Sequence, residues 1–93
     1  MLAGKLAEAR ARFCVRCADE AMEIAALADR LDADPAALDQ LSTSAHRLYG
    51  AAGSYGFASV AGLARELELA CVSSTNVAAK AKALAGALRG MAA

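Results

Sequence analysis

The chain has 93 residues, ten basic against ten acidic, and 58% hydrophobic residues, many of them alanine, with one proline and no tryptophan. That length predicts one domain, residues 1–93, large enough to fold around its own core without staples. Scattered, balanced charge and few aromatic residues exclude nucleic acid as a partner. No apolar run approaches the roughly 20 residues that span a bilayer, and the first residues lack the pattern of a secretory signal, so no membrane partner and a cytoplasmic location are expected.

The first amphipathic segment runs from about Leu2 to Leu31. Leu6, Ala9, Phe13, Cys17, Ile24, Leu27 and Leu31 share one stripe, while Lys5, Glu8, Arg12, Arg16, Asp19, Glu23 and Arg30 mostly fall elsewhere, as in a helix with one buried face. At 1.5 Å per residue it would be about 45 Å long, against about 25 Å for its successors. Its N-terminal part therefore overhangs the others unless it bends or breaks near Gly4. Cys14 and Cys17 form a Cys-Val-Arg-Cys sequence inside this helical pattern, and only Cys71 adds a third thiol. A structural zinc site needs four ligands and a thioredoxin-like pair needs a strand-helix-strand context. Reduced thiols are expected, Cys17 and Cys71 on apolar faces, with no metal.

Asp32-Ala33-Asp34-Pro35 closes that segment, Asp34 serving as N-cap and Pro35 as first-turn residue of the second helix. The second helix runs from Pro35 to about Gly53 on Leu38, Leu41, Ala45, Leu48, Ala52 and Tyr55, spaced alternately three and four apart. Ser54-Tyr55-Gly56 breaks it. The third helix runs from Phe57 or Ala58 to about Cys71 on Val60, Leu63, Leu67 and Ala70. Ser73-Ser74-Thr75 then supplies a cap for the fourth, from about Asn76 to Met91 on Val77, Ala81, Leu84, Leu88 and Met91. Short connections make consecutive helices antiparallel, and the economical architecture is all-α: an up-down-up-down four-helix bundle.

His46, the only histidine, lies on the second helix roughly 130° from the centre of the apolar stripe at about 100° per residue. Its imidazole is expected to face water. Gly50 and Gly53 stand four and seven residues later, so one exposed strip carries Thr43, His46, Gly50 and Gly53. Each glycine costs a helix interior about 0.5–1 kcal/mol relative to alanine, and this chain otherwise uses alanine freely. Clearance around a nucleophile is the simplest reason for tolerating two. Taken alone, a single histidine on a helical surface more often has no role, and Arg10, Arg12, Arg16, Arg30 and Arg65 read as solvated helix faces.

His46, Leu48, Gly50, Gly53, Gly56 and Phe57, followed by Leu63, Leu67 and Glu68, resemble the signature of histidine-containing phosphotransfer (HPt) domains. The resemblance covers about Leu38 to Cys71 in sequence and the whole chain in helix number and size. It implies a four-helix bundle whose exposed His46 accepts and donates a phosphoryl group, exchanging it with aspartates of response-regulator receiver domains, with a hybrid sensor kinase upstream. It implies that Gly50 leaves room for the receiver and that Gly56 with Phe57 fixes the turn into the third helix. The family usually has lysine three residues after the histidine; here that residue is Tyr49. Phosphorylation adds nearly two negative charges in mid-helix, where no free backbone amide helps. The Tyr49 and Thr43 hydroxyls each offer a hydrogen bond and Arg47 is expected to reach from the adjacent face, short of what a lysine provides.

A neutral imidazole keeps a lone pair on one ring nitrogen and is a competent nucleophile toward an acyl phosphate. There is no glycine-rich phosphate loop and no acidic cluster for magnesium. The chain reads as a monomeric phosphoryl carrier without cofactor rather than an enzyme. A second reading is a noncatalytic adaptor of the same fold that binds a receiver without transfer, and a purely structural bundle is a third.

Overall fold

The computed structural model describes residues 2–92, with side chains from residue 4 onward; Met1 and Ala93, the ends of the expected domain, lie outside the described residues. Four helices follow in order: α1 (Leu2–Asp29), α2 (Ala36–Ser54), α3 (Ala58–Ser73) and α4 (Val77–Ala92). They form an all-α antiparallel bundle in which α1 packs chiefly against α4 and α2 chiefly against α3.

The core explains the alanine content. Phe13, Cys17, Ala21, Ile24 and Leu27 of α1 meet Ala37, Leu41, Ala45, Leu48 and Ala52 of α2, Ala64 and Leu67 of α3, and Ala81, Leu84 and Leu88 of α4. Small residues between the larger ones let the helices approach closely, so that the leucines and Phe13 interdigitate at interior density. Each helix turns its three-four stripe inward and leaves its charges outside.

The first turns of α1 correct one expectation. Leu6, placed on the buried stripe, is 45% exposed, because the unbroken α1 runs past its partners and the bundle reaches 47 Å along its longest axis. The overhang expected from helix length is present, without a break at Gly4.

Loop chemistry sets the helix boundaries. α1 ends at Asp29 rather than Leu31, through a turn at Arg30–Ala33. Asp34 Oδ1 then accepts the Ala36 N–H at 2.9 Å, and Pro35 already has helical φ −60° and ψ −25°, so the expected cap and first-turn proline are both in place. At the other end of α2, Gly56 has φ +81°, its N–H bonds the Gly53 carbonyl, and the Phe57 N–H bonds the Ala52 carbonyl at 2.8 Å. That pair of bonds is a Schellman ending, which needs a left-handed residue that glycine supplies without strain.

The α3–α4 connection differs from expectation. Ser73-Ser74-Thr75 does not cap α4: Ser73 Oγ donates to the Leu69 and Ala70 carbonyls, and Thr75 Oγ1 donates to the Ser73 carbonyl. The hydroxyls finish α3, which extends to Ser73 instead of Cys71, and α4 begins at Val77, since Asn76 has φ +57°. Ser74 is itself left-handed at φ +53°, a conformation costing a side-chain-bearing residue about 1 kcal/mol. Ser74→Gly is therefore expected to raise stability by about 0.5–1 kcal/mol, read as a higher urea midpoint at unchanged slope. An unchanged or lower midpoint would show that the turn bears no such strain.

Candidate functional site

His46 stands near the middle of α2, on the ridge between α1 and α3. Its neighbours Ala45 and Leu48 are fully inside, which fixes the helix rotation, and its own side chain is 74% exposed. The ring is nevertheless held. His46 Nδ1 lies 2.7 Å from Glu68 Oε2 of α3. An ionised carboxylate only accepts hydrogen bonds, so Nδ1 carries the proton, and in the neutral ring the lone pair sits on Nε2.

Glu68 is well suited to this. Its side chain is 16% exposed, and Arg65 Nη1 donates to its other oxygen at 3.0 Å. Partial burial raises the carboxyl pKa, but the hydrogen bonds and charges of His46 and Arg65 outweigh it, so the net shift is below the usual carboxylate value. The carboxylate is thus ionised and aimed from both sides.

The remaining site residues divide across the ridge. Arg47, one residue on, turns to α1: its Nη2 reaches Glu20 Oε2 at 2.9 Å and Oε1 at 3.2 Å, so its guanidinium is engaged away from the imidazole. Thr43 is exposed and borders a shallow depression with Glu23, Asp39 and Arg47 on that same side. Gly50 and Gly53 are exposed, and a Cβ on either would meet nothing within 4 Å. Tyr49 is 41% exposed and its ring lies under the Arg65 guanidinium, 5.6 Å from ring centre to Cζ. Gly56 and Phe57 form the α2–α3 turn, Phe57 stacking on Phe13 of α1 at 5.5 Å and 21°.

All five arginines expected on solvated faces are exposed, and three of them also have partners. Arg10 lies over the Phe57 ring at 4.7 Å, Arg16 over Phe13 at 5.9 Å, and Arg65 joins the site. Glu20, which holds Arg47, had no distinguishing mark in the sequence. Arg65 had one, the i,i+3 spacing to Glu68, but such pairs are commonplace on helices.

The cysteines stay apart from this chemistry. All three are free; Cys17 and Cys71 are buried and Cys14 partly so. Burial chiefly raises the thiol pKa of Cys17 and of Cys71, where Glu68 adds to the effect, so both favour the unreactive protonated form. Among the described residues no cluster of histidine, cysteine or carboxylate side chains could hold a metal ion, and no helix is long and apolar enough to cross a membrane.

No curated protein and no solved structure matches the chain. The family model of the Hpt domain matches residues 8–93, nearly the whole bundle and all of the ridge that carries His46. This chain, a four-helix bundle matched over almost its whole length, therefore belongs to the Hpt domain family, whose role is related to phosphotransfer in two-component signalling.

Proposed function

We propose that this domain is a phosphorelay intermediate that carries its phosphoryl group on His46 Nε2 and exchanges it with the aspartates of response-regulator receiver domains. The observation that carries the reading is the 2.7 Å contact from Nδ1 to Glu68, which leaves the Nε2 lone pair free. In the accepting step that lone pair attacks the phosphorus of the receiver's aspartyl phosphate. The N–P bond forms, the P–O bond to the aspartate breaks, and the carboxylate leaves with the bonding electrons. The ring keeps its Nδ1 proton and so gains a positive charge, which Glu68 stabilises across its hydrogen bond. Reversal of the same steps donates the group to a second receiver. The phosphoryl group arrives already activated, which makes the domain a carrier rather than a kinase, and the receiver supplies catalysis of the transfer.

Incubation with a phosphorylated receiver, expected to come from a pathway headed by a hybrid sensor kinase, tests the proposal directly. Acid-labile, base-stable phosphate is expected on the domain, as for phosphohistidine. A receiver that binds and loses no phosphate to the domain would favour the noncatalytic adaptor.

Gly50 provides a separate check on clearance. Its helical backbone and empty surroundings mean that Gly50→Ala should stabilise the fold by up to about 1 kcal/mol. Gly50→Gln should also keep the fold, yet its side chain would stand one turn from His46 on the approach face. Transfer from a phosphorylated receiver is expected to slow while the melting temperature holds or rises. Unimpaired transfer by the glutamine variant would remove clearance as the reason for the glycine.

A further inference from the structure

Resting on the phosphotransfer reading of His46, we infer that Arg65 is the phosphoryl-binding cation of this domain, held ready beside the imidazole by Glu68 and by the face of Tyr49. The electrostatic problem is local. Phosphorylation would place about two negative charges in the interior of α2, beyond the reach of either helix end, and next to Glu68, which is already negative. The single positive charge of the phosphorylated ring does not balance both the phosphoryl group and Glu68, so without a further cation nearby that grouping opposes the modified state.

The positions of the neighbouring cations single out one residue. Arg47 is committed to Glu20 on α1 through both carboxylate oxygens, and Lys80 pairs with Glu66 at 3.1 Å. Arg65 is separated from the His46 ring by one carboxylate group: its Nη1 holds Glu68 Oε1 while the other oxygen holds Nδ1. A guanidinium has five donors and this contact uses one, so the rest of the fork remains available to phosphoryl oxygens. Tyr49 adds the platform. It stands one helical turn after His46, and its ring under Arg65 keeps the guanidinium at the α2 surface instead of free in solvent. Tyr49 thereby acts through its ring, and the positive charge comes from α3.

The test is phosphorylation by potassium phosphoramidate, a small donor that requires no receiver, followed by 31P NMR titration of the phosphohistidine resonance. A cation beside the group favours its dianion, so Arg65→Ala is expected to raise the phosphoryl pKa by about half a unit or more. Arg65→Lys should retain most of the wild-type value. Tyr49→Lys introduced into Arg65→Ala should restore it by placing an ammonium on α2 one turn from His46. Arg65 is half exposed, so these variants should fold. A phosphohistidine whose titration is identical in wild type and Arg65→Ala would overturn this inference and leave the phosphotransfer reading standing. Failure of the wild type to form any phosphohistidine, with the same protein also inert toward a phosphorylated receiver, would overturn both.

Discussion

His46→Gln is expected to abolish phosphoryl acceptance while leaving the melting temperature within about 4 °C of wild type. The two halves of that result have separate causes. Glutamine has no nucleophilic nitrogen, since its amide lone pair is delocalised into the carbonyl, so no N–P bond can form. Stability is nearly indifferent because the imidazole is largely in solvent and its contact with Glu68 is a surface pair, of a kind that contributes little to folding. Labelling from a phosphorylated receiver and a thermal melt on the same preparation measure both. Equal labelling of wild type and variant would locate the phosphate elsewhere, and a collapse in stability would assign the histidine a structural role instead.

Phe13→Ala should give the opposite pattern. Phe13 is buried, with its ring against Tyr55 at 5.6 Å edge-on and against Phe57 at 5.5 Å nearly parallel. It is thus the α1 residue on which the α2–α3 turn rests. Truncation removes the ring from a close-packed core and leaves a cavity, a change that costs about 3–5 kcal/mol, a large part of the stability of a domain this size. The melting temperature is expected to fall by about 15 °C or more, with urea unfolding as the quantitative measure. His46 stands two and a half turns of α2 before that turn, so molecules still folded at low temperature should accept phosphate at close to the wild-type rate. A loss below about 1 kcal/mol would mean that the cavity is refilled by rearrangement. A transfer defect in the folded population would tie the turn to the geometry of His46.

The contrast between these residues reflects what a one-dimensional pattern can encode. Burial on a helix repeats every three or four residues, so Phe13, Cys17, Leu41, Leu48, Leu67 and Leu84 were legible as core, and His46, displaced from the same stripe, as exposed. The exceptions have local causes. Leu6 satisfies the period but lies where α1 has outrun its partners, and a helical wheel carries no information about where a neighbouring helix stops. Ser73 and Thr75 carry the side chains of good N-caps, yet hydroxyls also bond backward to carbonyls, and the left-handed Ser74 and Asn76 select that direction here.

At the site itself, the residues of α2 were determined by sequence alone: the histidine, the two exposed glycines that follow it, the Asp34-Pro35 opening and the Gly56 ending all follow from local backbone chemistry and helical period. The tertiary structure decided which charges stand around the imidazole. Glu68 was part of the recognised pattern, but its grip on Nδ1, the diversion of Arg47 to Glu20 and the seating of Arg65 over Tyr49 each depend on how α2 is rotated and set against α1 and α3. Surface charges carry no periodic signature of their partners, because a long side chain can satisfy its charge in many directions and water competes for all of them. Only the packing of the helices chooses among them.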